Sequence, residues 1–206
     1  MTEYDRKQQE IAKQERKGRY IVNSWFTNAT LGKNWDIVTY HNNPQSAPVD
    51  LQYIISQDME IATLTGTRNA TVKTDCNIEV KTRYQTPEET DKYPSAILKV
   101  EKYNAMQQAI QGKDNAALYY AVILNDQTLF IYDVTDINRV PHSNATLPLK
   151  KIQYSKDSER VPTPCYLLPY NTAIRTVDIT DYIKQYNAIT NADNLQTKEE
   201  TTAQKG

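Results

Sequence analysis

Glycine is scarce in this chain, five in 206 residues, and none of the five belongs to a Gly-rich loop of the kind that cradles phosphates, which excludes nucleotide-driven motors. Cysteine is scarcer. Cys76 and Cys165 cannot build a disulfide framework, and neither stands in a CxxC or Cys/His cluster that would indicate zinc. The expectation is a reduced chain in the cytoplasm. No segment approaches ~18 consecutive apolar residues, and the N-terminal MTEYDRKQQEIAKQERKG is charged throughout, without the apolar stretch of a signal peptide. Neither secretion nor a membrane partner is expected. The Asn-Ala-Thr sequons at Asn28, Asn69 and Asn144 are then coincidences of an Asn- and Thr-rich chain. A dominant charge is missing too: 24 Lys and Arg stand against 25 Asp and Glu, for a net charge of −1. Any binding to a polyanion must therefore come from a local patch and not from the overall field.

What the chain does have is aromatic side chains. Its 39% hydrophobic content is below the roughly 45–50% of globular proteins, yet 9% of the residues are aromatic and 15 are Tyr, more than a disordered polar chain carries. The length fits one domain with a real core.

From Tyr4 to about Phe26, apolar positions among many charges fit a helix with its apolar face in the second half. Its first half is basic, with Arg6, Lys7, Lys13, Arg16, Lys17 and Arg19. Gly18 marks a bend or a close approach in the middle. After a polar link, WDIVTY (35–40) reads as a strand, and HNNPQSAP as a loop. A second strand runs from Val49 to Ser56 with Asp50 at its head, and residues 57–75 read as an inserted hairpin around Gly66. NIEVKTRY (77–84) is a third strand, with Glu79 and Lys81 on one face and Ile78 and Val80 on the other. Residues 95–112 show helical spacing, with Gly112 as C-cap. ALYYAVIL and TLFIYDV are two strands joined by the turn NDQ. The proline-rich 141–170 reads as a surface wrap, the stretch from Asp178 or Thr180 as a short helix, and 191–206 as a mobile tail. The expected fold is α/β, one mixed sheet flanked by helices, with a core over 1–140 and a C-terminal extension over 141–190 in the same domain.

The chemistry-bearing pattern is Asp50 followed by Glu79-Val80-Lys81. Two-residue spacing on a strand puts the Glu79 carboxylate and the Lys81 ammonium on one sheet face. If the strand headed by Asp50 pairs beside it, two carboxylates converge, and a divalent cation relieves their repulsion. Mg²⁺ favours carboxylate, carbonyl and water oxygens, and the Val80 backbone carbonyl is a further donor. A lysine next to the metal-bound water lowers its pKa and stabilises charge developing on a phosphoryl group.

SAPVD, ending at Asp50, and IEVKTR, Ile78 to Arg83, resemble the two motifs of the PD-(D/E)XK (restriction-endonuclease-like) nuclease superfamily, with Pro48 one residue further from the acid than the name implies. Tyr93-Pro94 and Lys102-Tyr103 make the chain similar to small nucleases of phages and mobile elements. The resemblance covers roughly Tyr4 to Val134 and implies an αβββαβ core and hydrolysis of DNA phosphodiesters with Mg²⁺ or Mn²⁺. It implies that Asp50 and Glu79 ligate the metal, that Lys81 activates the water, and that Glu10 or Glu15 on the first helix adds to the metal shell. Lys102 would neutralise a phosphate. The insertion between Asp50 and Glu79 leaves Asp58 and Asp75 as alternatives to Asp50; Asp75 falls in what reads as a turn, TDCN, and Asp50 is preferred.

Arg16, Lys17, Arg19 and Arg83 are expected to hold the DNA backbone, which gives binding without sequence reading. Paired cuts in a duplex would need two sites, hence a homodimer. His41 and His142 lack a catalytic signature around them, and Cys76 reads as structural. The alternative class is an inactive nucleic-acid-binding or structural protein, a virion or accessory component with the same fold.

Overall fold

The computed structural model describes residues 2–30, 35–44, 47–64, 66–92, 94–150 and 160–203. Tyr93 of the Tyr-Pro pair lies outside them. The first helix, α1 (Glu3–Thr30), opens with a reciprocal cap: Asp5 N–H donates to Thr2 Oγ1 at 3.1 Å and Thr2 N–H to Asp5 Oδ2 at 2.7 Å. Its second half buries Ile21 and Val22 completely, each worth about 1.5–3 kcal/mol of transfer free energy. The helix runs four residues past Phe26, into the link expected to be irregular.

Three antiparallel strands follow: β1 (Trp35–Asn42), β2 (Leu51–Thr63) and β3 (Gly66–Arg83). The separate hairpin expected over 57–75 is instead the outer half of β2 and β3, paired without a break from Leu51↔Ile78 to Thr63↔Gly66. Asp75 therefore lies within a strand and not in a turn. A short α2 (Pro87–Lys92) leads to β4 (Ser95–Lys99) and α3 (Val100–Ile110). The helix expected over 95–112 is divided, because Ser95–Lys99 pairs with a distant strand. Gly112, just past the C-cap Gln111, has φ +77°, the conformation that a helix-ending glycine supplies.

The chain continues through β5 (Ala116–Leu124), β6 (Thr128–Asp133), β7 (Ser143–Lys150), β8 (Arg160–Pro169) and β9 (Arg175–Asp178) to α4 (Thr180–Ala203). The three-residue β5–β6 loop has Asn125 and Asp126 both at φ 52°, the double left-handed geometry of a tight turn, closed by Gln127 N–H donating to the Leu124 carbonyl at 3.0 Å. The Asp178 carboxylate caps α4, accepting from Thr180 N–H at 2.9 Å. Two expectations for this region are corrected. The proline-rich wrap contains two paired strands, β7 and β8, and α4 continues past Asn191 to Ala203 where a tail was expected.

The protein is α/β. Its main sheet has the order β1-β2-β3-β5-β6-β9, with β3 and β5 parallel and the other pairs antiparallel. A second sheet, β4-β8-β7, replaces the single sheet expected. Alternate positions of the central strands serve two cores: Leu51, Tyr53, Cys76 and Ile78 pack toward α1, while Leu118, Tyr120 and Val122 pack toward α3 and the small sheet. Among the described residues no helix is long and apolar enough to cross a membrane.

Candidate functional site

The site follows from a mismatch in strand length. β2 begins at Leu51, opposite Ile78, and one further bond joins Asp50 N–H to the Ile78 carbonyl at 3.0 Å. β3 runs on to Arg83 with β5 along one side. Residues 79–83 thus keep an edge with no strand beyond it among the described residues. The Asp50 side chain takes the place of the next rung, its Oδ2 accepting from Val80 N–H at 2.8 Å. A strand residue points its N–H and C=O to the same edge, so the Val80 carbonyl faces the same space.

On the α3 face of β3, Glu79 is 9% exposed, and Lys102 of α3 brings Nζ to 2.8 Å from its Oε2. Burial, and then the charge of Asp50 beside it, push the Glu79 carboxyl up to about 8, with Lys102 opposing. Lys81, two residues on, is exposed.

Helix α1 forms the other wall. Gly18 permits the approach: a Cβ there would lie 2.8 Å from Thr82 Oγ1 and 3.3 Å from Val80 Cγ1. Glu10, Gln14, Glu15 and Arg19 stand along the cleft at helical spacing. Arg19 Nη2 donates to Asp50 Oδ1, and its Nη1 donates to Asn42 Oδ1 at 3.1 Å and to the Asn43 carbonyl. The resulting cleft of 560 Å³ is lined by Glu10, Glu15, Asp50, Glu79, Val80, Lys81 and Lys102, together with Arg19. Every residue expected in the metal or catalytic set reaches it, and both first-helix glutamates do.

The expected phosphate contacts are placed differently. Arg19 is tied to Asp50 and not free for a phosphate. Lys17 pairs with Asp126 at 2.6 Å, and Arg83 turns away to donate to the Ile97 carbonyl at 3.0 Å. Arg16 is exposed in an adjoining groove. Lys102 reaches the cleft, but as the partner of Glu79.

The alternatives to Asp50 are elsewhere. Asp58 accepts from Thr71 at 2.6 Å on the outer hairpin. Asp75 meets Lys113 at 2.6 Å, Gln52 and Asn77; burial works against its charge, but these partners hold its carboxyl below the ordinary value. Cys76 is 1% exposed, and burial pushes its thiol up to about 12, which fits a structural role. His41 is exposed on β1, and His142 Nδ1 is 2.8 Å from the Val140 carbonyl.

Ile11, Gln14, Thr82 and Tyr84 also line the cleft and were not anticipated. The helical spacing of 10, 11, 14, 15 and 19 was the signal that could have found the α1 members. The Tyr84 hydroxyl, 2.6 Å from Gln14 Oε1 and 2.9 Å from Asp126 Oδ2, ties α1 to the end of β3.

The donor set suits Mg²⁺ or Mn²⁺ in chemistry: two adjoining carboxylates whose mutual repulsion shows in Glu79, and a carbonyl on the same edge. Among the described residues no three His, Cys, Asp or Glu side chains form a group able to hold a metal ion. Comparison of the chain with protein-family models, with curated proteins and with solved structures finds no match.

Proposed function

We propose that the protein is a metal-dependent endonuclease that hydrolyses DNA phosphodiesters, of the PD-(D/E)XK kind, working in the cytoplasm. The observation that carries this reading is the meeting of Asp50, Glu79 and Lys81 in one cleft at the open edge of β3, with Glu10 and Glu15 across from them. A divalent ion held by Asp50, Glu79 and the Val80 carbonyl would act as Lewis acid on the scissile phosphate. Lys81, exposed beside these groups, orients the attacking water and offsets the negative charge that develops on the phosphoryl oxygens. Val80 N–H fixes the Asp50 carboxylate against β3, and Lys102 opposes the effect of burial on Glu79 without overcoming it, so a bound divalent ion would have to draw off the Glu79 proton. Glu10 and Glu15 add outer oxygens to the aqueous side of the site. Paired cuts in a duplex would require two copies of the chain.

A second reading is favoured by one observation. Asp50 and Glu79 each already have a cation of their own, Arg19 and Lys102, so the cleft is neutralised from within. A nucleic-acid-binding or structural protein with this fold and no turnover would have that arrangement. The separating experiment is cleavage of single-stranded, duplex and branched DNA with Mg²⁺ or Mn²⁺, parent against Lys81→Ala and Asp50→Asn. Cutting that both substitutions abolish supports the nuclease; a folded parent that binds DNA and never cuts it supports the second reading.

A further inference from the structure

We propose that the groove between α1 and β1 binds an unpaired DNA strand leading into the cleft, so that the substrate is single-stranded or carries an overhang or flap. The inference rests on the nuclease reading for its choice of ligand. Glu15 and Arg19 line both the cleft and this 420 Å³ groove, so the two adjoin at these side chains. Beyond Arg19 the groove is lined by Arg16, Tyr20, Tyr40 and Asn42.

Tyr40 decides the kind of strand. It is 40% exposed, and its ring lies 5.0 Å from that of Tyr53. Tyr53 is fully buried, stacks on Phe26 at 4.3 Å between ring centres, and donates its hydroxyl to Asn23 Oδ1 at 2.7 Å. The Tyr40 ring is therefore backed by a fixed aromatic stack and offers its remaining surface to the groove. Bases inside a duplex are covered above and below by their neighbours, so such a ring can stack only on a base that is unpaired or extruded. Arg16, exposed one helical turn from Tyr20, supplies a phosphate contact that does not depend on sequence.

The test is fluorescence anisotropy in EDTA with three probes: an oligothymidylate of about twelve nucleotides, a blunt duplex, and the same duplex with a 3′ overhang. The parent is expected to bind the first and third more tightly than the blunt duplex. Tyr40→Ala should weaken binding to those two by about 5- to 150-fold and leave the blunt duplex nearly unchanged, while Tyr40→Phe keeps parental binding. Arg16→Ala, at an exposed position, should weaken binding and lower the salt slope by about 1. Equal binding by Tyr40→Ala and parent, or equal loss on all three probes, overturns the proposal. A parent that binds none of the probes overturns it together with the nuclease reading. Binding through Tyr40 by a parent that cuts no DNA overturns the catalytic reading alone and supports the groove.

Discussion

Arg19 and Asp50 form an ion pair inside the cleft, with the guanidinium held from behind by Asn42 and the Asn43 carbonyl. The pair joins α1 to the head of β2, and its side chains are only 15% and 16% exposed. Arg19 thus occupies the carboxylate oxygen that a metal ion would use.

Replacing Arg19 should free that oxygen. Arg19→Gln is expected to bind Mn²⁺ on the order of 10-fold more tightly than the parent, because a cation in contact with the ligand has been removed. The same variant should melt at a lower temperature in EDTA, since Asp50 is left half-buried without its counter-charge. Calorimetric Mn²⁺ titration of parent, Arg19→Gln and Asp50→Asn checks this. Unchanged affinity in Arg19→Gln contradicts the competition.

Glu79 sets a pH dependence. Its carboxyl rises from 4.5 to about 8 in the folded protein, through burial and then the neighbouring Asp50. Between these values the native state keeps a proton that the unfolded chain has lost, so the contribution of Glu79 to stability is full below about 4.5. It declines as pH rises toward about 8 and is level above that. Glu79→Gln should remove this slope. Denaturant midpoints in EDTA across that range, for parent and variant, are the measurement; parallel curves contradict it.

The close approach at Gly18 should be intolerant of a methyl group. Gly18→Ala gains about 1 kcal/mol of helix preference, but the new Cβ would stand 2.8 Å from Thr82 Oγ1, and overpacking of this kind costs about 1–3 kcal/mol. A net loss is expected, and Thr82→Ala in the same chain should recover part of it, a coupling that a double-mutant cycle reads. Additive effects contradict the contact.

Much of this fold can be read from local pattern. The alternation at the end of β3, the continuous apolar run of β5 and the turn at Asn125-Asp126 are settled by neighbours in sequence, and so is the cap at Asp178. β4 is not, because Ile97, Leu98, Val100, Tyr103 and Met106 satisfy helical spacing continuously; only pairing with Tyr166, Leu167 and Leu168, some seventy residues on, makes Ser95–Lys99 a strand. β7 and β8 are hidden by Pro148, Pro162 and Pro164, which normally argue against strands. They are tolerated because Pro148 faces Pro162 in the register, and because β4 flanks β8 only from Cys165 onward, so the earlier prolines have an open side.

The site was legible in the same measure. Asp50, Glu79 and Lys81 are marked by alternation on a strand and by position at a strand head. Their charge partners were not, because Arg19 and Lys102 reach them across thirty-one and twenty-three residues through contacts that no local period encodes. A basic helix therefore read as a surface for phosphates, while its residues at 17 and 19 are engaged with Asp126 and Asp50.

The central claim is that Asp50, Glu79 and Lys81 form a phosphodiesterase site. The most direct measurement is single-turnover cleavage of a labelled DNA with an overhang, in Mg²⁺, in Mn²⁺ and in EDTA, for parent, Asp50→Asn and Lys81→Ala. The account predicts cutting by the parent only with metal, and a loss of about 100-fold or more in each variant. A folded parent that leaves the DNA intact in both metals, or variants that cut at the parental rate, would contradict it.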